Sequence, residues 1–234
     1  PTPQFCSASS KLMVDLGAKD WASPILIGSS VMTDVEEPER SRKRLKPGER
    51  KLQILQAIAA MLEEESERIT TAGLAARLQV SEAALYRHFA SKAQMYEGLL
   101  EFIEQTIFGL INQIDSEPDP AEHKARSIVL MLLNFAETNP GMTRVLTGEA
   151  LAYENLRLQH RVNQLIDRAE ASLRQCLKLQ KEPGLLDPTL QASLAISFVQ
   201  GRWLRFSKTA FRAAPSESAE TIVEALFFTK PAAD

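Results

Sequence analysis

Residues 80–96 read VSEAALYRHFASKAQMY and crowd hydrogen-bond donors together, Ser81, Tyr86, Arg87, His88 and Lys92 among them. Arg87 and Lys92 carry positive charge at neutral pH. Such a set suits gripping an anion, oxygen by oxygen, without making or breaking a covalent bond. The tools for covalent chemistry are missing from the rest of the chain. His88, His123 and His160 are its three histidines; no His-Cys-Asp cluster stands at metal-ligand spacing, and neither G-x-S-x-G nor a phosphate-binding loop occurs. His123 and His160 fall on charged helical faces, where water would solvate them. The chain is therefore expected not to be an enzyme and to need neither metal nor cofactor.

The charge pattern says where an anion would be met. Net charge over 234 residues is -3, yet residues 40–92 carry eleven Lys and Arg against six Glu. Residues 1–39 hold Lys11 and Lys19 against six acids, and residues 93–234 hold fourteen bases against eighteen acids. A basic front on an acidic body points to a polyanion partner for the front alone. A solvated basic linker is the plainer reading of the charge by itself. Within that front, RSRKRLKPGERK at 40–51 sets seven basic residues against Glu49, directly ahead of a helical pattern. A basic arm so placed is an electrostatic footprint for nucleic acid.

Composition bounds the rest. The 44% hydrophobic and 24% charged content is ordinary for a soluble globular protein. No run approaches the roughly 18 apolar residues of a membrane helix, and the N-terminus lacks a signal-peptide pattern. Cys6 and Cys176 lie far apart with no redox spacing, which fits a reduced cytoplasm. Residues 1–39 include Pro1, Pro3, Pro24 and Pro38 and show no sustained period. They are expected to be a poorly ordered extension, and Met32 would make a natural start.

The donors need a scaffold, and the flanking residues supply one. Leu52, Leu55, Ile58, Ala59 and Leu62 recur at helical spacing, so a first helix is expected to about Glu64. Thr70 or Thr71 caps a second that carries Leu74, Ala75 and Leu78. Leu78-Gln79-Val80-Ser81 makes a tight turn, and Ser81 caps a third helix running to Phe89. Ser91 and Gln94 then fit a capping box. Two helices joined by a short turn are the helix-turn-helix arrangement, whose second helix enters the major groove. On that helix Leu85 and Phe89 point to the core, while Ala83 and Ala84 keep it slim enough for a groove about 12 Å wide. Tyr86 and His88 are placed to donate to phosphate, and Lys92 sits at a helix start. Taken singly, Tyr86 also fits a half-buried core position and His88 a surface or interhelical one.

Beyond Tyr96 the helices lengthen. Met95, Leu99, Phe102, Ile103, Leu110 and Ile114 mark one face of a helix over 92–114. Asp119-Pro120, Asn139-Pro140 and Asp187-Pro188 each pair a cap residue with a proline suited to the first helical position, and Glu122 completes a capping-box spacing. SIVLMLLNFA at 127–136 is apolar almost all round, the pattern of a buried central helix. A long helix is expected over 152–181, a break at EPGLLD (182–187), and last helices over 188–213 and 217–229. With no strand alternation, the fold class is all-α. Leu190, Leu194, Phe198, Trp203, Phe206, Ile222, Leu226 and Phe227 offer a face for pairing with a second copy; ordinary intrachain core is the alternative.

ITTAGLAARLQVSEAALYRHFASKAQMYEGLLEFIE at 69–104 resembles the TetR family of DNA-binding regulators. IVLMLL at 128–133, FAETNPGMTRVLTGEAL at 135–151 and RLQHRVNQLIDRAEASLRQ at 157–175 narrow the likeness to the branch that acts in nucleoid occlusion. The resemblance spans residues 50–213. It implies a basic arm and DNA-binding domain over 40–92 and a helical regulatory and dimerisation domain over 93–234. It also implies a cytoplasmic, nucleoid-associated homodimer on palindromic double-stranded DNA sites that antagonises FtsZ, the tubulin-like division protein. Thr70, Thr71, Ser81, Ala83, Ala84, Tyr86, Arg87, His88 and Lys92 fall at the family's DNA-facing positions. Phe102, Leu110, Met131, Asn134 and Asn139 fall on its FtsZ-facing surface. Arg144, on the first turn after Pro140, offers that surface a charge for an acidic or extended peptide; a plain interhelical joint is the other reading. Two positions depart from the family pattern: Gln79 stands where the turn carries Gly, and Thr138 stands where an Arg precedes the Asn. A ligand-responsive repressor would share the DNA domain and add a pocket in the body, against which the dense 127–136 helix argues.

Overall fold

The computed structural model describes residues 48–64, 69–180 and 186–228. The expected extension over 1–39, the arm before Gly48, residues 182–185 of the expected break, and the side chains of Leu226 and Phe227 lie outside the described residues. Residues 51–234 form one compact unit apart from residues 1–50. Among the described residues there are nine α-helices, one 3-10 turn and no strand, as an all-α chain requires.

The first three helices are short. α1 is Glu49–Glu63 and buries Ile54, Leu55, Ile58 and Leu62; Leu52, expected on the same stripe, is 38% exposed. α2 is Thr71–Arg77, capped by Thr70, whose hydroxyl oxygen accepts from Gly73 N at 3.0 Å. α3 is Glu82–Tyr86, capped by Ser81 through Ala84 N at 3.2 Å. It is shorter than expected because the chain tightens after Tyr86 into a turn, with His88 N on Leu85 O at 2.9 Å. Leu85 and Phe89 are nevertheless buried, as expected.

The turn between α2 and α3 closes as a Schellman motif. Val80 N donates to Ala75 O at 3.0 Å and Gln79 N to Ala76 O at 3.1 Å, which satisfies the last carbonyls of α2. The motif requires its middle residue to be left-handed, and Gln79 has φ 52.

The remaining helices build a body. α4 is Lys92–Ser116, α5 Ala121–Thr138, α6 Pro140–Leu146, α7 Leu156–Leu177, α8 Pro188–Lys208 and α9 Ala219–Phe228. Helix α5 touches α4, α6, α7, α8 and α9; its Ile128, Val129, Leu132, Leu133 and Ala136 are at most 1% exposed. Helix α7 starts later than expected because Gly148 is left-handed at φ 76 and a 3-10 turn occupies Glu149–Leu151.

Several expected caps take other forms. Pro120, not Asp119, occupies the cap of α5, and no side chain bonds its first turn. The extended backbone of Pro120 leaves Asp119 one residue too far out. Asn139 caps α6 without a side-chain bond; its Nδ2 donates back to Phe135 O at 2.8 Å. Asp187 caps α8 as expected, accepting from Thr189 N at 2.8 Å. That backbone bond, with the Thr189 hydroxyl, holds its carboxyl below the usual range. At Ser91 the box closes one residue early: Ser91 Oγ accepts from Gln94 N at 3.2 Å, while Gln94 Oε1 accepts from Ala90 N at 2.9 Å.

A left-handed L-residue costs about 1–2 kcal/mol, and Gly in its place loses part of that gain to unfolded-chain entropy. Gln79→Gly is therefore expected to raise unfolding stability by about 0.5–1 kcal/mol, read as a higher urea midpoint at unchanged m-value. A lower midpoint would mean that the Gln79 side chain makes a stabilising contact of its own.

Candidate nucleic-acid interface

The two caps that start α2 and α3 already face outward. Thr70 and Ser81 are exposed, and each hydroxyl spends its oxygen on a backbone N–H. The hydroxyl proton is left to donate, which is what a phosphate oxygen accepts. Ala83 is exposed and Ala84 half-buried, so the outer side of α3 is narrow. Tyr86 is 44% exposed, and Arg87 and His88 are exposed. Leu85, at 1%, anchors the helix from behind. Of the two open readings of Tyr86, a half-buried core position is excluded.

Thr71 is spent differently. Its hydroxyl donates to Glu82 Oε2 at 2.6 Å, tying α2 to α3 across the turn. Arg77 donates to Glu64 at 2.7 Å and ties α2 to the end of α1. The three helices are thus held by polar pins outside their small apolar core.

Lys92 is less open than its place in the sequence implied. Its ammonium lies 2.6 Å from Glu154 Oε1, with the two side chains 25% and 12% exposed. It also sits 5.7 Å from the centroid of the Tyr96 ring. Glu154 comes from the loop before α7, where Tyr153 is 79% exposed; Leu156, which opens α7, is 72% exposed. Nothing in the sequence marks a pair 62 residues apart; only the packing of α7 on α4 brings them together.

The second surface lies on α4 and α5. Phe102 and Leu110 of α4, Asn134 of α5 and Asn139 at its end are half-buried. Met131 is only 7% exposed and belongs to the core, so four of the five expected positions are partly accessible. Arg144 does not offer its charge to a peptide on this face. Its Nη1 donates to Leu62 O at 2.9 Å and Glu64 O at 3.2 Å, which makes the segment after Pro140 a joint between helices.

Two cavities bear on a possible ligand pocket. One of about 190 Å³ opens between α7 and α8 beside Gln159, Asn163 and Gln200. The other, about 430 Å³, lies among Asp115, Asp119, Lys124 and Cys176 at the far ends of α4 and α7. Burial pushes the Cys176 thiol up to about 11, which leaves it a poor nucleophile.

Known proteins share these features. Residues 54–99 match TetR_N, described as bacterial regulatory proteins of the tetR family. Residues 123–230 match SlmA-like_C, a tetracyclin repressor-like C-terminal domain. The chain is similar to the nucleoid occlusion factor SlmA of Edwardsiella ictaluri, 47% identical over 196 residues that cover 81% of this chain and 95% of the relative. It is likewise 46% identical to SlmA of Serratia proteamaculans over 192 residues, covering 80% and 93%. Among solved structures, the fatty acid degradation regulator FadR of Bacillus halodurans superposes with a TM-score of 0.63 at 17% identity, covering 76% of this chain and 98% of that one. FadR of Bacillus subtilis, solved with stearoyl-CoA, gives 0.61 at 16%, covering 76% and 97%. At such identity the likeness is one of fold.

If this face meets duplex DNA, Tyr86→Ala should weaken binding about tenfold with the melting temperature unchanged. Lys92→Ala should lower the slope of log K against log salt by about one unit. Glu154→Gln releases the Lys92 ammonium and should tighten duplex binding at low salt. Weaker binding by Glu154→Gln would instead make Glu154 the group that aims Lys92.

Proposed function

We propose that this chain, which belongs to the SlmA family of TetR-type regulators, is a nucleoid occlusion factor: a dimer that binds chromosomal sites and, when bound, antagonises FtsZ assembly over the nucleoid. The observation that carries the reading is the set of outward donors at the ends of α2 and α3, Thr70, Ser81, Tyr86, Arg87 and His88, carried by a helix-turn-helix. A basic stretch before α1 adds salt-dependent phosphate affinity, while Ala83 and Ala84 let α3 approach base edges. Cytoplasmic, nucleoid-associated placement follows from that activity.

Pairing of two copies is supported by α8. Leu190, Leu194 and Leu204 are 62%, 49% and 47% exposed, and they share a stripe with Ser197 and Gly201. A Cβ at Gly201 would meet nothing within 4 Å, so that stripe leaves space for a crossing helix. Ile222 of α9, 37% exposed, adds to it. Trp203 and Phe206, expected on the same face, are 1% and 3% exposed and belong to the chain's own core. A pair of copies joined through α8 and α9 would form a four-helix bundle, and two α3 helices about 34 Å apart fit successive major grooves.

For FtsZ, the half-buried Phe102, Leu110, Asn134 and Asn139 would offer a shallow face to an extended peptide. Many copies on one DNA segment would raise the local concentration of that face and let weak contacts with assembled FtsZ add up. The test is co-sedimentation of assembled FtsZ with this protein, with and without a duplex selected from random sequence. Duplex-dependent loss of FtsZ polymer supports the proposal; tight duplex binding with FtsZ unaffected would leave a transcriptional repressor. Phe102→Ala should abolish the effect on FtsZ while duplex affinity stays within about twofold. Equal loss of both would indicate misfolding.

A further inference from the structure

Arg144 takes no part in either surface described above, yet its guanidinium joins three parts of the molecule. It leaves α6 and reaches the end of α1, where Nη1 donates to Leu62 O at 2.9 Å and Glu64 O at 3.2 Å. Helix α1 has no basic residue in its own last turn, so its terminal carbonyls depend on a donor from elsewhere. The same guanidinium lies 4.8 Å from the centroid of the Phe211 ring. Its Nε is buried without a hydrogen bond, 4.0 Å from the Glu149 carboxylate. The side chain is 14% exposed.

The backbone beside it is just as constrained. A Cβ on Gly141 would fall 1.9 Å from Ala59 O, so α6 meets α1 backbone to backbone. Phe211, under the guanidinium, stands in the turn that follows α8. Ala210 and Phe211 there hold φ 50 and φ 61 without being glycine. Two successive strained residues persist only where their surroundings hold them; Phe211 is held between Arg144 and Phe206, ring centroids 5.1 Å apart for the two aromatics.

We infer that Arg144 is the positioning residue that sets the angle of α1–α3 on the body, and thereby the separation of the two reading helices in the dimer. The inference rests on the dimeric reading above. A guanidinium is a rigid fork that stacks on a ring and donates in its own plane. It therefore fixes direction, which a point charge does not. One face of the fork bears on the turn between α8 and α9, the helices proposed to pair, and its edge bears on α1. Each base pair added to the centre of a palindrome moves the half-sites apart by about 3.4 Å and rotates them by about 34°. A headpiece held at one angle accepts one spacing; a released one accepts several.

The experiment uses the full chain and palindromic duplexes selected from random sequence by the wild type, with the centre unchanged, shortened or lengthened by one base pair. A single half-site duplex is measured beside them. For wild type, either change of spacing is expected to cost on the order of tenfold in affinity. For Arg144→Met that penalty should fall to about threefold or less, with half-site affinity within about twofold of wild type. Arg144→Lys keeps charge and stem but not the fork, and should give an intermediate profile; it serves if Arg144→Met does not fold. A spacing profile identical to wild type in the folded variants would overturn the inference. So would an equal loss on half-site and palindrome, which a structural role alone would produce. A wild-type profile flat in spacing would instead overturn the dimeric reading itself.

Discussion

Residues 127–136 of α5 are apolar on nearly every side, and most of the body follows from the need to keep water off them. A helix of that kind cannot lie at a surface. Five other helices, α4, α6, α7, α8 and α9, wrap it. The wrapping helices bring their own polar groups inward, and those must be satisfied. Trp203 of α8 is 1% exposed, and its indole N–H donates to Leu132 O of α5 at 3.1 Å. Thr143, fully buried, donates to Ala136 O at 2.9 Å. Carbonyls at the end of α5 thus serve as anchors for its neighbours.

Around that core, charge pairs set how the outer helices lie. Arg161 of α7 grips Glu104 of α4 with two bonds of 3.0 and 2.9 Å. Its bond to Glu104 raises the Arg161 pKa further above its ordinary value. A bidentate pair of this kind fixes orientation as well as distance. Lys92 and Glu154 extend the same α4–α7 seam toward the helix-turn-helix. One seam therefore begins in the body and ends on a lysine expected at phosphate. From α8, Arg202 donates to Pro215 O at 2.9 Å and Ala214 O at 3.1 Å, which gathers the strained turn ahead of α9.

The helix-turn-helix was legible because its signals are local. Thr70, Ser81 and Ser91 each bond an N–H within three residues, so spacing alone identifies them. Gln79 stood out only against the family pattern, which carries Gly there; the Schellman turn it closes needs a left-handed residue whatever occupies it. Asp119 failed as a cap because Pro120 took the position first, a choice set by backbone geometry across one residue. On α8, Trp203 and Phe206 share a helix with Leu190 and Leu194, and periodicity could not say which of them met α5 and which met solvent.

By itself the sequence determined fold class, the order of helices, the caps of α2, α3 and α4, and the outward donors at and just after α3. Each depends on residues within about one helical turn of one another, where propensity and spacing act directly. Tertiary structure alone decided that Lys92 is paired, that Met131 is core, and that Arg144 closes the end of α1. The Lys92 and Arg144 contacts join residues 62 and 82 positions apart. Their energies depend on how α4, α6 and α7 lie around α5, and no local pattern encodes the angle between two helices.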